Sequence, residues 1–153
     1  MKTSELSTSL ARRPDGPGAP PRRWRDFVVD GVSLGELVDA KDLVSVFADG
    51  DEATATTAHR QLLKGAKWDR SRSLATQSED RGGRTLLYVC AQCADLACGA
   101  IGARIYTDGQ HYYWVDFAYE NGYEPPHRIE AVGPFRFEAK AYARTLKKAR
   151  ALP

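Results

Sequence analysis

The stretch from Arg84 to Glu120, RTLLYVCAQCADLACGAIGARIYTDGQHYYWVDFAYE, holds all three cysteines and the clearest turn signal of the chain. Leu86 to Val89 is a short apolar run behind Gly82 and Gly83, which reads as a strand buried on both faces. Ala100 to Thr107 is a second such run and leads into Asp108-Gly109, a dipeptide suited to a type I′ turn. Beyond it, Tyr112, Tyr113, Trp114, Val115 and Phe117 are β-favouring residues, so a hairpin is expected. A tight two-residue turn sets Ile105 opposite Tyr112 and Ala103 opposite Trp114. One face then carries Ile101, Ala103, Ile105, Tyr112 and Trp114, and is the expected core face. The other carries Arg104, Tyr106, His111, Tyr113 and Val115.

Between the first strand and the hairpin lie Cys90, Cys93 and Cys98. Thiolates at this spacing can converge on one tetrahedral ion, so zinc is one reading, with Asp95, His111, His127 or a second chain as candidates for the fourth ligand. The match to a zinc knuckle is partial, because Cys98 stands where the knuckle has its histidine and Ala103 where it has its last cysteine. Thiol–disulfide chemistry by Cys90 and Cys93 is a second reading, although Gly99 and Gly102 argue against the long helix that normally follows such a motif. Packing of small apolar thiols in a core is the third.

The remainder bounds the answer. A chain of 153 residues, 42% hydrophobic and 27% charged, has room for one domain with a core. A net charge of +2, with no basic stripe, makes a nucleic-acid partner an unfavoured expectation. No run is long enough to span a membrane and no secretory signal opens the chain, so a cytoplasmic location is expected. Residues 1–23, rich in Pro, Gly, Ser and Arg, read as a disordered leader, with a single domain over 24–153. Within that domain WRDFVV from Trp24 is a strand, Ser33 and Glu36 form a capping box, and Leu43 to Phe47 is another strand. Asp51 to Lys64 is a helix stopped by Gly65, residues 66 to 83 form a connection anchored by Trp68, and Glu138 to Ala151 is a closing helix. A last strand runs through Ile129 and Val132.

LYVCAQCADLACGAI, then WVDFAYENGY, then GPFRFEAKAYARTL, resembles a group of small actinobacterial-type bacterial proteins of unestablished function. The shared features are a cysteine-bearing turn ending in CG, an aromatic hairpin and a closing PFxFxxxxYxxxL helix, over about residues 84 to 146. The group has glycine where Ala94 stands here. The resemblance implies the fold and brings no chemistry with it.

The expected fold is therefore α+β, an antiparallel sheet of about four to six strands packed with two main helices. No nucleotide-binding, zinc-protease or serine-hydrolase motif is present, which leaves the enzyme question open. The expected function is binding of a protein partner through Arg104, Tyr106, Tyr113, Tyr119 and Glu120, with the cysteine turn as a structural knot that could hold zinc. Thiol–disulfide oxidoreduction by Cys90 and Cys93 is the alternative.

Overall fold

The computed structural model describes residues 1–14, 17–18, 21–69, 71–72, 83–91 and 98–151. The central hairpin is β8 (Ala100–Thr107) and β9 (His111–Glu120). Its turn spans four residues. Asp108 Oδ1 accepts the amides of Gln110 and His111, at 2.9 and 2.7 Å, while Thr107 Oγ1 donates to the His111 carbonyl and accepts from Gly109. These bonds hold a wider turn than the expected one, so Ile105 faces Trp114 and Thr107 faces Tyr112. The register therefore differs by two residues from the expectation. Because side chains alternate with period two, both faces keep their expected members.

Around the hairpin the sheet is built outward. β7 (Thr85–Cys90) pairs antiparallel with β8, and β5 (Leu43–Ser45) with β7. On the other side, β11 (Phe135–Glu138) pairs with the start of β9 and β10 (His127–Arg128) with its end. Two pairings are parallel: β1 (Thr3–Ser4) with β11, and β6 (Ala66–Lys67) with β8. This eight-stranded sheet is larger than expected, and it is not purely antiparallel. Ile129 and Val132 follow β10 in a turn, and the last strand is β11 instead.

A second sheet of three strands comprises β2 (Leu6–Arg13), β3 (Arg22–Val29) and β4 (Val32–Ser33). Among the described residues of 1–23, Thr3–Ser4, Leu6–Arg13 and the start of β3 are strands where a disordered leader is expected from the sequence. β2 pairs with β3 over eight residues, from Leu6 opposite Val29 to Arg13 opposite Arg22. The composition of 1–23 offers little to bury, but a ladder is held by backbone bonds and needs only sparse side-chain anchors. Leu6 is buried, and the Arg13 guanidinium lies 5.5 Å from the Trp24 ring.

Three helices complete the described chain. Ser33 caps α1 (Leu34–Leu37) by accepting the Glu36 amide, as the capping box predicts. Asp51 caps α2 (Glu52–Lys64), and Gly65 ends it at φ 56°. The C-terminal carbonyls of α2 are taken by tyrosines, Leu63 by Tyr112 Oη at 2.6 Å and Leu62 by Tyr142 Oη at 2.8 Å. Tyr142 belongs to α3 (Ala139–Arg150) and also accepts Trp114 Nε1 at 3.0 Å. This chain of bonds fixes both long helices to the sheet face that carries Trp114, where Phe27, Phe47, Leu62, Phe137 and Leu146 pack as one core.

Candidate functional site

The cysteines end up in different states. Cys98 is disulfide-bonded and Cys90 is not, so the oxidised pair is not Cys90 with Cys93. Cys93 and Asp95 lie outside the described residues. A sulfur in a disulfide is not a thiolate donor, so a three-thiolate zinc site would require Cys98 to be reduced. Among the described residues, no group of three His, Cys, Asp or Glu side chains is placed to hold a metal. His111 lies at the turn of the hairpin, tilted against Tyr113, eight strand residues from Cys98. His127 lies at the other end, where β10 meets Tyr119, and contacts Glu124 Oε2 at 3.2 Å.

The expected partner-binding face is divided. Tyr106 and Tyr113 are buried beneath Trp68, whose ring stacks on Tyr113 at 4.0 Å. Trp68 thus packs onto the sheet and covers two of the tyrosines expected to meet a partner. Of the connection expected over residues 66–83, Ala66–Lys67 is a strand, and 70 and 73–82 lie outside the described residues. Tyr119 is half-buried on the opposite face, where it packs against the main core. The break in alternation comes from a bulge in β9: Asp116 has φ 55°, and the register with β8 shifts between Arg104 and Gly102.

That bulge turns Asp116 toward Arg104 and Arg84, and these residues form the most buried ionic cluster described. Arg84, 4% exposed, donates Nε to the Asp116 carbonyl at 2.6 Å, Nη2 to its carboxylate at 2.8 Å and Nη1 to Glu120 at 3.1 Å. Arg104 Nε reaches the same Asp116 oxygen at 2.9 Å, and Arg128 lies 3.5 Å from the other. Burial pushes the Asp116 carboxyl up, but hydrogen bonds from Arg104 and Arg84 outweigh it and leave it below its ordinary range.

Arg84 stands in the wall of a groove between α2 and β7. A central concavity of 560 Å³ has Val46, Leu86 and Val89 among its apolar lining, with Thr54, Thr57 and Gln61 from α2, and Arg84 and Glu120 opposite. It adjoins a 430 Å³ concavity that shares Val46, Thr54 and Val89 and contains Cys90, Ser45 and Arg22. At its other end a 370 Å³ concavity shares Gln61 and Arg84 and adds Lys64 and Arg104. Together they follow the length of α2, about 20 Å for thirteen residues.

Sequence reasoning placed Arg104 and Glu120 in a site but gave Arg84 no role. The available signal was Asp116, a charge inside the apolar run Trp114 to Ala118. Such a residue in a central strand needs cationic partners. No protein-family model, curated protein or solved structure matches the chain.

Proposed function

We propose that this protein binds an extended segment of a partner protein in the groove between α2 and β7. The observation that carries the reading is the continuity of three concavities over an apolar floor, with hydroxyl, amide and guanidinium groups along the rim. Central volumes of this size are typical of ligand sites, and a length near 20 Å suits about six residues of extended chain. Among the described residues, β5 covers β7 only from Tyr88 to Cys90. The edge at Thr85 and Leu86 therefore adds backbone groups of the kind that extended peptides pair with. Arg84 spends three of its five N–H donors on Asp116 and Glu120. It is held rigid at the groove wall, which lowers the entropy cost of binding.

A displayed random-peptide library, selected in parallel on the protein and on its Thr57→Trp variant, tests this. Thr57 is exposed at mid-groove, so the indole fills the groove and leaves the core alone. The expected result is a motif with alternating apolar positions, enriched at least about tenfold more on the unaltered protein. No enrichment, or equal enrichment on both, overturns the reading.

One observation favours a second reading, thiol–disulfide exchange: Cys90 borders the groove outside the disulfide that holds Cys98. The Cys90 thiolate would attack a disulfide sulfur, forming a mixed disulfide and expelling the other sulfur as a thiolate, with no net oxidation. Alkylation of the unfolded, unreduced chain is expected to label one cysteine, and three after reduction. Three labelled without reduction, together with one zinc per chain in a native mass spectrum, would favour the metal-filled turn instead.

A further inference from the structure

We infer that the cavity around Asp26 binds a small organic cation, a primary ammonium or guanidinium group on a short chain. This site lies outside the groove and does not depend on it. Asp26 sits inside β3 and is only 8% exposed. Its carboxylate accepts Ser33 Oγ at 2.5 Å on Oδ2 and the Tyr88 hydroxyl on Oδ1. Both donors are neutral. A buried carboxylate normally has a cation beside it, because hydroxyls alone do not offset the loss of hydration.

The cavity of 310 Å³ that Asp26 lines points to what would supply that charge. Its remaining charged groups are Glu36, Asp39 and Lys41, so carboxylates outnumber cations by three to one. Lys41 is no counter-ion for Asp26: its Nζ lies 3.8 Å from Asp39 at the exposed rim. Trp24 forms a wall and already lies under the guanidinium of Arg13, which is held by the carbonyls of Lys41 and Asp42.

Gly35 keeps the carboxylate approachable. A Cβ there would stand 3.2 and 3.4 Å from the two Asp26 oxygens and 3.4 Å from Tyr88 Oη. Asparagine could accept only one of the Ser33 and Tyr88 hydroxyls, because its amide nitrogen donates, so the tie between the α1 cap, β3 and β7 accounts for a carboxyl group but not for its uncompensated charge. The charge, the aromatic wall and the missing Cβ are accounted for together by a cationic ligand of a few heavy atoms.

Titration of the ¹⁵N-labelled chain with n-butylammonium, and with n-butanol as its neutral counterpart, tests the inference. The Gly35 amide and Trp24 indole signals are expected to shift saturably with the amine, and about tenfold less tightly with the alcohol. Gly35→Ala is expected to weaken amine binding about tenfold, and Asp26→Asn to erase the preference for the amine. Should Asp26→Asn fail to fold, the surface pair Glu36→Gln and Asp39→Asn still applies, and a several-fold loss of amine affinity is expected from it. No saturable shift, equal response to the alcohol, or unchanged affinity in Gly35→Ala overturns the inference.

Discussion

Asp116 occupies left-handed backbone space, which a non-glycine residue enters at a cost, and three arginines repay that cost by converging on its carboxylate. Arg84 is the buried member of the three. Arg84→Ala would leave Asp116 and Glu120 short of charge at a desolvated site, so a loss of about 3 kcal/mol in denaturant unfolding is expected. Arg128→Ala, with Arg128 61% exposed, should cost less than about 1 kcal/mol. Asp108 supplies a pH signature of its own. Burial raises its pKa, but the amides of Gln110 and His111 and the Tyr113 hydroxyl lower it further, to about 2 from the usual 3.8. A depressed folded-state value means stability that is complete above 3.8 and lost as the pH falls toward 2. Thermal melts over that range should fall more steeply for the unaltered chain than for Asp108→Asn, and parallel slopes would exclude this role for Asp108.

Among the elements, α2, α3 and the hairpin were legible because each carries its own punctuation: Asp51 and Gly65 around α2, Glu138 ahead of α3, Asp108-Gly109 between the strands. Bulges carry none that is local. Leu87 is the extra residue of β7 against β8, as Asp116 is of β9, and the two irregularities flank Gly102 from either side. Their positions follow from what lies across the ladder, which no window along one strand contains. At Gly102 the strands come so close that a Cβ would stand 2.5 Å from the Thr85 carbonyl oxygen. Gly102→Ala must therefore displace β7, and a loss of about 2 kcal/mol in stability is expected. Gly83→Ala, where a Cβ meets nothing within 4 Å, should be nearly neutral and serves as the control. Equal effects of the two would mean that β7 and β8 are not this close.

At the scale of the whole molecule, the site was harder to see than the fold because its parts are gathered from distant segments. The groove joins Thr54 and Gln61 to Arg84 and Glu120, and the Asp26 cavity joins Ser33 to Tyr88, contacts that no spacing rule anticipates. The same distance hid the role of the N-terminal residues. β1 lies beside β11, the Leu6 carbonyl accepts Thr145 Oγ1 of α3 at 3.0 Å, and Glu5 exchanges bonds with Asp30, so the first strands connect opposite ends of the chain. A disordered leader could be removed without consequence, whereas this segment could not. Deleting residues 1–13 strips the ladder partner from β3, exposes the ground beneath Leu6 and frees Trp24 from Arg13. A loss of several kcal/mol follows from one buried leucine and an eight-residue ladder, or roughly a 10 °C fall in melting temperature for a domain of this size. A truncated chain that melts with the full-length protein would restore the leader reading and detach β2 from the fold.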